Sequence, residues 1–198
     1  KGDDTRRFAP LYLRDGTGNE TGESAYFASS NRNKRSITLD LANPEGQDLA
    51  RRLIAESDVL AENFKTGGMK KFGLGYEQLK DEFPGLVYCS ITGFGQTGPY
   101  AQRPGFDQVA QGMGGLMSVT GLPGQGPVRV GIPVADLSAG LFVAMGILMA
   151  LLARERADLV HARGHLGEAE AAVGFDSEIE AGNLIAGIVT ALPIEGDH

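Results

Sequence analysis

From Ser36 the chain alternates, with Ile37, Leu39 and Leu41 apolar and Thr38 and Asp40 polar, the period-two pattern of a strand. Asn43-Pro44-Glu45 then predicts a helix start from an N-cap residue, a proline at the first helical position and an acid in the first turn. Leu49, Leu53 and Ile54 give that helix one apolar face up to about Glu56. Asp58 to Glu62 reads as a short strand, Gly67-Gly68 as a turn into a short helix near Met69 to Phe72, and Tyr76 to Glu82 as a helical piece stopped before Pro84. Leu86 to Thr92 is a continuous run suited to a buried strand. Strand, helix, strand, helix, strand predicts a parallel α/β sheet.

Outside this stretch the pattern is looser. Residues 1–35 are polar and glycine-rich and read as a loop, with only Ala25 to Ala28 suited to packing. Phe106 to Val119 reads as helical, Leu122 to Val134 as a Pro/Gly-rich connection with an edge strand at Val128 to Val130, and Leu137 to Glu155 as a long helix. Leu137 to Ala153 is uncharged and just reaches the ~17–25 residues of a membrane span. It contains Gly140 and Gly146 and begins beside a carboxylate, which predicts a buried helix of a soluble protein with no membrane partner. Residues 157–198 lose this order, and no internal repeat is present.

Composition narrows the function classes. With 42% hydrophobic and 22% charged residues the chain is globular, and a net charge of −7 offers no basic face for a nucleic acid. Glycine, at 29 of 198 residues, is about twice its usual share, so turns and close backbone approaches are expected. The single cysteine, Cys89, excludes an intramolecular disulfide and suits a cytoplasmic location as a buried, inert thiol. The first residues carry neither an initiator Met nor an apolar leader, so the sequence reads as beginning inside a longer protein.

Several groupings could carry chemistry. Gly93-Phe-Gly-Gln-Thr-Gly98 matches G-x-G-x-x-G after a strand, but Pro99, Pro104 and Gly105 interrupt the helix that a pyrophosphate needs. A structural glycine loop is therefore expected in place of a nicotinamide site. Asp136 is the only ionisable side chain between Arg129 and Arg154. It reads as the N-cap of the long helix or, alternatively, as a carboxylate nucleophile for an activated acyl group. Asn63, Phe64 and the lysines Lys65, Lys70 and Lys71 follow the second strand, where α/β ligands bind, and offer amide, ring and positive charge as well as an ordinary solvated turn. Asn31 to Arg35 could clamp phosphates or form a plain basic loop. His161 and His165 stand at i, i+4, and His198 lies at the end of the tail; with no third ligand evident, no metal site is expected.

Asn31-Arg-Asn-Lys-Arg-Ser-Ile, Glu62-Asn-Phe, Gly73-Leu-Gly-Tyr, Tyr88-Cys-Ser-Ile-Thr-Gly-Phe-Gly-Gln-Thr-Gly-Pro-Tyr, Arg103-Pro-Gly-Phe-Asp, Gly114-Gly-Leu-Met and the Asp136 segment, in that order, resemble the family III (CaiB/BaiF-type) CoA-transferases. The resemblance covers residues 1–155 as a portion of the large domain, leaving 156–198 as a divergent tail. It implies a Rossmann-like parallel sheet core that lacks its first strand and most of the second domain. It implies transfer of CoA from an acyl-CoA thioester to a free carboxylic acid through an aspartyl anhydride and an aspartyl-CoA thioester. Asp136 would be the nucleophile, and Asn63, Phe64 and Lys71 would contact CoA, which enters as substrate with no permanently bound cofactor. A homodimer is implied for the full-length protein. The related α-methylacyl-CoA racemases carry a histidine where this chain has Phe106, which cannot move a proton. Racemase activity and a non-catalytic fragment stand as the alternatives.

Overall fold

A computed structural model describes residues 3–8 and 11–162 of the chain, which divide into one unit up to Asp40 and another from Leu41. In the first unit, much of the stretch expected as a loop forms regular elements among its described residues. A 3₁₀ helix, Asp4–Arg7, is capped by Asp3, whose carboxylate accepts from Thr5 N at 2.9 Å. Strands β1 (Tyr12–Arg14) and β2 (Glu20–Ser24) pair antiparallel, with Tyr12 opposite Ser24 and Arg14 opposite Glu20. Between them Asp15 Oδ1 accepts from Thr17 N at 2.9 Å and Asn19 N at 3.0 Å, and Gly18 takes φ +88°, which a side chain would resist. Ser24 caps helix α1 (Ala25–Ser30) by accepting from Phe27 N, and its hydroxyl donates to Thr5 O, both residues being buried. Polar side chains thus close this unit, with Arg6 paired to Glu23 and lying 3.8 Å from the centre of the Phe27 ring.

In the second unit helix α2 (Pro44–Ala55) starts as its sequence demands, with Asn43 Oδ1 accepting from Glu45 N at 3.0 Å. It is followed by β3 (Val59–Glu62), a 3₁₀ helix at Met69–Phe72, α3 (Tyr76–Leu79) and β4 (Val87–Ser90). The strands pair in parallel, Val59 with Val87 through Glu62 with Ser90. Ala50 and Ile54 of α2, Leu60 of β3, and Leu74 and Leu79 are among the most deeply buried apolar side chains here. Each fully buried Leu or Ile contributes about 1.5–3 kcal/mol. The fold is α/β, as expected.

Ser36 to Leu41 forms no strand, and Ile37 is 61% exposed. Alternation supplies a face, but a strand also needs a neighbour for its amides and carbonyls, and this segment belongs to no sheet among the described residues. The expected edge strand at Val128 to Val130 is likewise absent, because Val128 N and Val130 N donate to Met117 O and to the Gln111 side chain. The helix expected over Phe106 to Val119 divides into α4 (Asp107–Met113) and a 3₁₀ turn at Leu116–Val119, parted by Gly115 at φ +80°.

Helix α5 (Val134–Ala162) begins earlier and ends later than expected, and it is not buried. Leu141 is 68% and Leu148 65% exposed, with Phe142, Met145, Met149 and Leu152 also exposed. By length and composition it is a helix that could cross a membrane. Arg154 fastens its later half to the start of the sheet, donating to Asp58 Oδ1 and Gly85 O at 2.6 Å each. Residues 163–198, and with them the divergent tail, lie outside the described residues, as do the side chains of His161, His165 and His198.

Candidate active site

The loops leaving the carboxyl ends of β3 and β4 converge on the start of α5. Beyond β4, Gly93 meets Gly105 so closely that a Cβ on Gly93 would lie 2.2 Å from Gly105 N. Gly105 leads into Asp107, and Asp107 Oδ1 accepts from Ala135 N at 2.8 Å and Asp136 N at 3.4 Å. Thr66, in the loop beyond β3, donates through Oγ1 to Ala101 O at 2.6 Å and so ties that loop to the one beyond β4. Asp136 therefore stands at the carboxyl end of the sheet, where parallel α/β folds bind ligands.

Asp136 is not the N-cap. The helix starts two residues before it, at Val134, so its carboxyl belongs to the first turn and Asp107 serves the amides. Asp136 Oδ1 is buried and accepts no hydrogen bond among the described residues. Burial first, and the negative charge of Asp107 second, push its carboxyl from 3.8 up to about 6. It remains mostly ionised at neutral pH, yet it is more basic and less well solvated than an ordinary aspartate. Those are the properties of an oxygen nucleophile.

Asn63, Phe64 and Lys71 lie on one segment. Asn63 and Phe64 are half-buried immediately after β3, and Lys71 is exposed on the 3₁₀ helix. The Phe64 ring meets Phe72 edge-on, with centroids 6.0 Å apart. No hydrogen bond or ion pair among the described residues joins Asp136 to this segment; the carboxyl ends of the strands are what they share. The glycine loop keeps its structural role: Gly95 and Gly98 take φ +78° and +88°, and a loop through Pro104 follows in place of a helix. Among the described residues, no cluster of three His, Cys, Asp or Glu side chains could hold a metal ion.

Three residues were not singled out from the sequence. Asp107 and Gln111 form the clamp under α5, and their signal, an acid opening a helix and an amide one turn on, is common to many helices. Glu62, only 7% exposed, accepts from Phe64 N at 2.7 Å and from the Ser90 hydroxyl, which in turn accepts from Gln96. Burial pushes the Glu62 carboxyl up, against the two hydrogen bonds that pull it down. Cys89 is half-buried and not fully buried as expected; that partial burial, with Glu62 adding to it, raises its thiol.

A model of the family described as CoA-transferase family III matches residues 1–161. Over 151 residues the chain is 49% identical to a succinate–glutarate CoA-transferase of Agrobacterium fabrum, covering 76% of this chain and 38% of the relative. It is 43% identical over 155 residues to a succinyl-CoA:glutarate CoA-transferase of Mus musculus, covering 78% of this chain and 34% of that protein. A crystal structure of a CaiB/BaiF family protein from Brucella suis superposes with a TM-score of 0.72 at 50% identity, covering 79% of this chain and 41% of that one. The chain thus spans little more than a third of the length of these curated relatives.

Proposed function

The chain belongs to CoA-transferase family III, and from that membership we propose that it supplies the nucleophile and part of the CoA-binding surface of an enzyme that moves CoA from an acyl-CoA to a free carboxylic acid. The observation that carries the reading is the Asp136 carboxylate, with Oδ1 buried, free of hydrogen bonds and raised to about 6, at the carboxyl end of the sheet. One of its oxygens attacks the thioester carbonyl, the C–S bond breaks, and CoA leaves as thiolate from an acyl-aspartyl anhydride. The thiolate then attacks the aspartyl carbonyl, releasing the donor acid and leaving an aspartyl-CoA thioester. The acceptor carboxylate attacks that thioester, and the expelled thiolate takes the acceptor acyl group from the second anhydride, which regenerates Asp136. No net oxidation or added water is needed. Burial of the carboxylate suits this sequence, because both anhydrides are lost if water reaches them.

In this reading Asn63 donates to polar groups of CoA, Phe64 offers a ring for adenine or the pantetheine arm, and Lys71 meets phosphate charge. Glu62 holds the backbone of Phe64 in place. The names of the relatives, built on succinate and glutarate, support a dicarboxylic acid as donor or acceptor. The same reading makes the intact protein a cytoplasmic homodimer. The experiment is to incubate the intact protein with acyl-CoA, trap with hydroxylamine or borohydride, and locate the adduct by mass spectrometry. A label on the peptide bearing Asp136 is expected, and a label confined to another residue overturns the mechanism.

A further inference from the structure

We propose that Asp107 is a positioning residue for the Asp136 nucleophile, fixing the first turn of α5 around that carboxylate, and that Gln111 holds Asp107 in place. The proposal rests on the reading of Asp136 as nucleophile. A carboxylate in the first turn of a helix is normally drawn to the unsatisfied amides there, and a carboxylate so engaged is a weaker nucleophile. In α5 those amides are already satisfied by other groups. Val134 N donates to Ile132 O at 2.8 Å, Leu137 N to Pro133 O at 3.0 Å, and Ala135 N and Asp136 N to Asp107 Oδ1. Asp136 Oδ1 is left without a partner as a result.

Asp107 is itself held. Its Oδ2 accepts from Gln111 Nε2 at 2.7 Å, and Gln111 is 2% exposed. Gln111 also grips the segment that leads into α5, accepting from Val130 N at 2.8 Å and donating to Ile132 O at 3.3 Å. Behind Asp107, the Gly93–Gly105 approach fixes the loop to the end of β4. Helix α5 packs against α4 and β4. The charged group that α4 brings to Asp136 is Asp107; the titratable side chains of β4, Tyr88 and Cys89, have their ionisation pushed up by burial and are neutral near pH 7. Asp107 therefore frees Asp136 and also raises its basicity, and the effect on basicity is one that an uncharged cap would not have.

The test compares wild type, Asp107→Asn and Asp107→Ser in the intact protein. Both variants keep a capping oxygen and lose the charge, so a failure of one to fold leaves the other. The midpoint of the Asp136 carboxyl, followed by carbon-13 NMR, should fall by about half a unit or more in either variant, since a like charge has been removed. The acid limb of kcat/KM for transfer should move the same way, and kcat should fall about tenfold or more with KM for acyl-CoA little changed. An unmoved midpoint in a folded variant overturns the proposal even where Asp136→Asn abolishes transfer. Transfer that survives Asp136→Asn overturns the nucleophile reading instead, and that result does not depend on the titration.

Discussion

Asp107 and Asp136 are 29 residues apart in sequence, yet the Asp107 carboxylate accepts the amide hydrogen of Asp136 at 3.4 Å and that of Ala135 at 2.8 Å. Two carboxylates thus share one helix start, one bound to the backbone and the other free. The arrangement costs stability whenever both are charged.

Asp136→Asn should lower transfer by at least ~10³-fold, because an amide cannot form the anhydride. It should not weaken the helix, whose cap is Asp107. The folded carboxyl is raised from 3.8 to about 6, so its favourable contribution is present below pH 4 and lost as pH rises through 6. The variant should therefore match wild type in melting temperature near pH 4 and exceed it at pH 8. A lower melting temperature for the variant at pH 8 would show that the carboxylate is stabilising after all.

Gly93→Ala should destabilise by about 2 kcal/mol or more, since the new methyl meets Gly105 backbone atoms that cannot swing away. Gly16→Ala, with nothing within 4 Å, is the control and should be near neutral. Urea unfolding of the two variants separates close approach from any general intolerance of glycine replacement. Added NAD should leave the melting temperature of wild type unchanged, and a clear rise would restore a dinucleotide role to this loop.

Phe64→Leu and Asn63→Ala should each raise the dissociation constant for CoA about fivefold, which corresponds to ~1 kcal/mol. Leucine at 64 keeps a contact with Phe72 and removes only the ring face. Calorimetric titration with CoA that gives wild-type affinity for both variants would remove these residues from the binding surface.

Glu62→Gln should be tolerated, because an amide oxygen can still accept from Phe64 N and the amide nitrogen can donate to Ser90. Burial raises the wild-type carboxyl, so the stability it contributes is lost as pH rises through its folded value, and glutamine should gain on glutamate toward alkaline pH. Glu62→Leu leaves a part-buried amide without its acceptor and should cost about 1–3 kcal/mol. Equal chemical stability of the two variants at pH 8 would contradict this account.

The elements legible in the sequence are those with local causes. Asn43-Pro44 starts α2 because the cap and its amide are two residues apart, and Val87 to Ser90 is a strand within the continuous apolar run that predicts it. Elements whose causes lie elsewhere were not legible. The β1–β2 hairpin is built from Asp15, Thr17 and Glu20, with no apolar alternation to announce it. Ser36 to Leu41 alternates correctly but has no paired neighbour, and the apolar composition of α5 fixes what its surface is without fixing what covers it. At the site, Asp136 stood out because it is isolated in an apolar stretch. Of its two readings, the cap fails because the helix begins two residues earlier, on an acceptor that only the folded chain brings near.

Helix α5 is also fastened at two distant places, to Asp107 near Asp136 and through Arg154 to Asp58 and Gly85. Eighteen residues of α-helix separate Asp136 from Arg154, a span of about 27 Å at 1.5 Å per residue. The helix is thus a strut held beyond the carboxyl end of the two strands by Asp107 and at their amino end by Arg154. Axial slip of the helix that carries Asp136 is opposed from its far end, so an alteration at Asp58 or Gly85 would shift a carboxylate it never touches.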